Sequence, residues 1–150
     1  MPALKCETIQ QSGTTRVKVC PYAVADTTGT KTLHLKQESG WHSFWNDGTQ
    51  HSVDVETLTL DAICESAGGL IDLLKIDCEG GEYQALRGKE TLLASSVRYV
   101  AMEYHERNGE HADELVEILT RAGFGCDIYP QPHWNTGMLY AHNRTILRSC

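Results

Sequence analysis

Residues 75–82 read KIDCEGGE and place three carboxylates, Asp77, Glu79 and Glu82, a thiol and two glycines at the end of the apolar run Leu70, Ile71, Leu73, Leu74. A second run ends in AMEYHE, residues 101–106, and brings Glu103, His105 and Glu106 to its own end. If the two segments lie side by side, carboxylates and an imidazole converge. Such a group could hold a hard cation, bind the ammonium or hydroxyls of a ligand, or set His105 as a general base. A structural account competes with these. Glu82 suits the first turn of a following helix, Gly80 and Gly81 suit a sharp backbone turn, and Lys75 or Arg98 can pair with one of the acids. That account covers Glu82 and the glycines fully, and Asp77 and Glu79 less well.

The elements that must position these residues can be read from hydrophobic period and turn chemistry. Residues 3–12 suggest the end of a helix closed by Gly13. Val17 to Val24 alternates like a strand, Asp26-Thr27-Thr28-Gly29 is a turn, and Lys31 to Leu35 suggests a second strand, so these two are expected to form a hairpin. Residues 36–52 form a polar stretch whose Trp41, Phe44 and Trp45 are expected to pin it into the core. Val53 to Leu58 is strand-like, and Thr59 can cap a short helix that ends at Gly68-Gly69. Leu70 to Asp77, without clean alternation, reads as a strand buried on both faces, as in parallel sheets. A helix over 82–94, a buried strand over 97–103 and a helix over 111–122 follow. The last helix gathers Ala112, Leu115, Val116, Leu119 and Ala122 on one face. Cys126–Tyr129 and Met138–His142 are the final strands. The alternation predicts an α/β fold with a mostly parallel sheet and helices on both faces, in one domain over 1–150. In such a sheet ligands sit beyond the strands' carboxyl ends, where KIDCEGGE falls.

Composition excludes several functions. Thirteen Lys and Arg against 20 Asp and Glu give a net charge of −7, which disfavours nucleic acid and anionic membrane as partners. The six cysteines show no CxxC pair and no zinc-like spacing with histidine, so no structural metal site is expected and no metal ligands are assigned. Free thiols and the lack of a leader-like segment or a run near ~20 apolar residues predict a cytoplasmic chain acting on a small-molecule substrate. Gly123-Phe124-Gly125 follows a helix and so reads as a helix stop, not a dinucleotide loop.

The run VETLTLDAICESAGGLIDLLKIDCEGGEYQALRG, then VRYVAMEYHE and ADELVEILTRAGF, resembles the C-terminal two thirds of an FkbM-type methyltransferase domain. VKVCPYAVADTTGTKTLHL resembles that family's segment around its third strand, so the likeness spans nearly all of residues 3–142. It implies a class I, Rossmann-like fold and an S-adenosylmethionine cofactor, with methyl transfer to hydroxyls, often on sugars or natural products. By the same resemblance, Ala23 and Val24 would lie beside the adenine, and Asp77 and Glu79 would face the methyl donor or acceptor. The catalytic set is then Asp77, Glu79 and His105, and the cofactor set Ala23, Val24 and Asp77.

Members of the family begin with a strand carrying a DxGAN-type loop, a helix, and a strand ending in a ribose-binding acid. None of the three is found in these residues, so this is expected to be a partial domain with little affinity for the cofactor. In the class I strand order 3-2-1-4-5-7-6, strands 1 and 2 separate strand 3 from strand 4. The edge of Leu70 to Ile76 is therefore expected either to take in residues 17–35 or to pair with another chain, as a homodimer in the favoured case. Besides an active or inactive methyltransferase, two further readings stand: an assembly module built on the truncated sheet, and metal-assisted hydrolysis by Asp77, Glu103 and His105.

Overall fold

In the computed structural model, Val17 and residues 19–35, 51–131 and 133–146 are described. They form two sheets. A three-stranded sheet has the order β1-β3-β2, with β1 Ala23–Val24, β2 Gly29–Leu35 and β3 His51–Leu58. A four-stranded sheet has the order β4-β5-β7-β6, with β4 Ile71–Ile76, β5 Val97–His105, β6 Phe124–Pro130 and β7 Thr136–Asn143. Four helices accompany them: α1 Leu60–Ser66, α2 Glu82–Leu86, α3 Glu90–Ser96 and α4 Ala112–Arg121. Thr59 caps α1 by accepting from Ala62 N, as its position before the apolar run predicts. The expected helix over 82–94 is broken in two. Arg87 leaves helical geometry and Gly88 takes φ +70°, a left-handed turn that glycine adopts without the Cβ clash.

The sheets are mixed, not mostly parallel. β4 and β5 run parallel, whereas β7 is antiparallel to both β5 and β6. The order β4-β5-β7-β6 is nonetheless the 4-5-7-6 half of the class I order. β7 reverses because β6 and β7 are joined by a short hairpin, which only antiparallel strands permit. The expected hairpin of 17–24 with 31–35 does not form. β2 pairs antiparallel with β3 from Gly29↔Thr57 to Leu35↔His51, and β1 pairs with β3 in parallel. Neither β1 nor β2 enters beside β4, so the rearranged sheet is not the solution the chain adopts. The expected helix at 3–12 and the pinning of 36–50 by Trp41, Phe44 and Trp45 lie outside the described residues.

The core explains why β4 is less buried than its composition suggests. Val100, Met102, Tyr104, Leu139 and Ala141 on one face of the four-stranded sheet share a core with Leu86, Leu93, Leu115, Ile118 and Leu119 from the helices, and with Leu60 and Cys64 of α1. Across the middle of the opposite face, Leu73, Tyr99 and Tyr140 are 59%, 44% and 45% exposed. Among the described residues the helices therefore cover one face, not two, and β4 is not buried on both sides. Asn143 locks the covered side: its Nδ2 donates to Ala94 O and Val97 O at 3.0 Å, and its Oδ1 accepts from Thr145 N at 2.9 Å. Every polar atom of this buried amide is thereby matched, as burial requires.

Candidate functional site

β4 and β5 are parallel neighbours with Ile76 opposite Met102. Their carboxyl ends therefore project to the same edge, and Asp77 follows β4 while His105 closes β5. Beyond β4 the chain turns tightly. Glu79 takes φ +52° and Gly80 +98°, and Gly81 N donates to Cys78 O at 3.1 Å. A left-handed glutamate is strained by the clash of its Cβ. Here Cys78 packs against the core while Asp77 and Glu79 on either side of it keep part of their side chains in solvent. One ligand atom from each of Asp77, Glu79 and His105 falls within 4.8 Å of the others.

Glu82 holds this turn. Its side chain is fully buried, and its carboxylate accepts from Cys78 N at 2.8 Å and from Gly80 N at 3.0 Å. The same carboxylate lies 3.3 Å from His105 Nδ1. An ionised carboxylate only accepts, so Nδ1 carries the proton in this contact. His105 Nε2 then points toward Glu79, 3.5 Å from its Oε2. Arg107 Nη2 approaches that oxygen at 3.4 Å, and Lys75 Nζ stands 3.4 Å from Asp77 Oδ2.

The electrostatics follow from this crowding. Burial depresses the basicity of His105, but the hydrogen bond and charge of Glu82 and the charges of Glu79 and Glu103 outweigh it, so its pKa is raised. Burial also raises the pKa of Glu79, with Asp77 and Glu82 adding to the rise and His105 and Arg107 opposing it. Cys78 is pushed up to about 11 by burial and then by Glu82, which leaves a protonated thiol unsuited to nucleophilic work.

The structure thus brings together Asp77, Glu79 and His105, the three residues proposed for chemistry. It does not bring Ala23 and Val24 into the same sheet; they form β1, half-buried against Thr57 and Leu58 of β3. Glu103 is close enough to raise the pKa of His105 but is not one of the converging three. Glu106 has a structural task, accepting from Ala112 N at 2.9 Å at the start of α4. Glu82 is the residue the sequence reading assigned too little: beyond helix-terminus electrostatics it orients the imidazole. Its spacing of two and four residues from Gly80 and Cys78 was the available signal for the turn, whereas its contact with His105, 23 residues away, left none.

The family model described as the methyltransferase FkbM domain matches residues 5–126. No curated protein and no solved structure matches the chain.

Proposed function

Because the chain belongs to the FkbM methyltransferase domain family, we propose that it serves S-adenosylmethionine-dependent methylation of a hydroxyl on a sugar or other small molecule, at the crevice of Asp77, Glu79 and His105. The observation that carries this reading is the convergence of these three groups at the carboxyl edge of two parallel strands, the place where α/β sheets bind ligands. Transfer moves the methyl from the sulfonium to the acceptor oxygen, with S-adenosylhomocysteine leaving and the hydroxyl proton lost. Asp77 and Glu79 are suited to hold the acceptor's hydroxyls, since ionised carboxylates accept from them. His105, fixed by Glu82, is a further acceptor at the point where the proton must leave. Positioning of donor and acceptor supplies most of the rate in a displacement of this kind.

No DxGAN-type loop occurs in these 150 residues, so the 150-residue chain by itself is expected to bind the donor weakly, with a Kd above about 100 μM. The test pairs calorimetric titration of S-adenosylmethionine with transfer of a labelled methyl group to a panel of sugars. Saturable transfer that Asp77→Asn abolishes supports the proposal. Donor binding without transfer to any hydroxyl acceptor, or transfer indifferent to Asp77→Asn, rejects this site.

A second reading is assembly. Among the described residues β4 pairs only with β5, so within them its other edge has no ladder partner beside the exposed Leu70 and Leu73. An apolar free edge is a template for another strand. Two copies joined at β4 about a two-fold axis would complete the edge. Light scattering distinguishes the outcomes: a strict monomer at high concentration rejects the dimer.

A further inference from the structure

We infer that Asp77, Glu79 and His105 form a binding site for a divalent transition cation such as Mn²⁺. The inference concerns the crevice of the methyl-transfer reading but does not depend on it, and it stands beside the expectation from cysteine spacing that the chain has no structural metal site. That expectation addressed structural thiolate sites. The donors here are two carboxylates and one imidazole, drawn from the ends of two strands, a set suited to Mn²⁺, Fe²⁺ or Zn²⁺.

Three features of the geometry support it. The ligand atoms already lie within 4.8 Å of one another, and oxygens and nitrogens bound to one ion at about 2.1 Å stand up to about 4.2 Å apart, so small side-chain rotations suffice. His105 is 4% exposed, and its Nδ1 faces the buried Glu82 carboxylate at 3.3 Å. Metal-binding histidines have this arrangement, in which one ring N–H donates to a carboxylate and the other nitrogen's lone pair is left for the ion. That lone pair points toward Glu79 Oε2 at 3.5 Å, with Asp77 beside it. Either a proton on Nε2 or a metal ion can sit between ring and carboxylate here, and a bound ion would displace that proton.

The cations already present do not fill this role. Arg107 meets Glu79 and Lys75 meets Asp77 only at 3.4 Å. Each carboxylate keeps a second oxygen, and although Arg107 shares Glu79 Oε2 with His105 Nε2, neither cation contacts both carboxylates. Asp77 is half-exposed, with 47% of its side chain open, which gives an ion a route from solvent and leaves room for water or a hydroxyl ligand in the remaining positions. A hydroxyl bound there would have its pKa lowered by the ion.

The experiment is titration of the purified 150-residue chain with MnCl₂, followed by the loss of the free-ion electron paramagnetic resonance signal and by calorimetry, without methyl donor or acceptor. One saturable site per chain is expected, weakened at least tenfold by Asp77→Asn and by His105→Gln and unchanged by Asp113→Asn on the exposed start of α4. Circular dichroism confirms folding. Because Asp77 is solvent-exposed, its variant remains informative if His105→Gln unfolds. Absence of a saturable site, or a site that survives Asp77→Asn, overturns the inference. Since no donor is present, such a result leaves the methyl-transfer reading intact, and failure of transfer leaves the metal result intact.

Discussion

Glu82 Oε1 lies 3.3 Å from His105 Nδ1, joining the first turn of α2 to the end of β5 through two buried side chains. The carboxylate also takes the N–H groups of Cys78 and Gly80. It therefore sets both the turn that carries Asp77 and Glu79 and the ring that faces them. Glu82→Ala would strand two backbone donors and the imidazole, at a cost of about 3 kcal/mol or more. Glu82→Gln keeps one acceptor oxygen and should cost less. Urea unfolding of the two variants checks the order. Equal and small losses would show that the carboxylate does not hold the turn.

Asp77 makes the opposite prediction. It stands past the end of β4, half-exposed, and its contact is with Lys75 at 3.4 Å. Asp77→Asn should change the unfolding free energy by no more than about 0.5 kcal/mol while removing methyl transfer. A large loss of stability would mean that the carboxylate is a structural group.

How much of this was legible in the sequence depended on the range of the interaction. The turn at Gly80-Gly81, the cap at Thr59 and the apolar stripe of α4 are local, and they could be read because each is fixed by neighbours within a few residues. The meeting of KIDCEGGE with AMEYHE followed from one further assumption, that the two strands are parallel neighbours, and β4 and β5 satisfy it. Strand partners were less legible. The short turn at 26–29 suggests β2 beside β1, whereas the tertiary structure pairs it with β3 from Gly29↔Thr57. The burial of β4 was misread because Leu73 carries no mark of which face is covered; a leucine on a bare face has the same composition as one in the core.

Gly137 tests the packing of the four-stranded sheet. It lies opposite Tyr104, and a Cβ there would stand 2.5 Å from Tyr104 Cζ and 2.7 Å from Tyr129 O. The tyrosine is buried in the core, and the carbonyl belongs to the neighbouring strand β6. Gly137→Ala is expected to cost at least about 1–3 kcal/mol and to lower the melting temperature by several degrees. An unchanged melting temperature would show that the β6–β7 hairpin yields freely.

The Arg87 cluster gives a pH dependence of defined sign. Arg87 donates to Glu114 through Nε at 2.6 Å and Nη2 at 2.9 Å, and it meets Glu110 at 3.0 Å. The hydrogen bond to Arg87 depresses the pKa of Glu114. A carboxyl with a depressed folded value contributes stability above its unfolded value, near 4.3, and loses it as pH falls through the lower folded value. Glu110 acts in the other direction, because burial outweighs Arg87 and raises its pKa; its stabilising share is present at low pH and lost as pH rises. Removing Glu114 alone separates the two. Because that side chain is 37% exposed, solvent screening limits the pair to about 1 kcal/mol or less. Glu114→Gln should therefore be slightly less stable than the parent at pH 7, and the gap should close below about pH 4. Denaturant unfolding at pH 7, 5 and 3.5 measures it, and a gap that stays constant across the series would show that the ion pair contributes nothing to the fold.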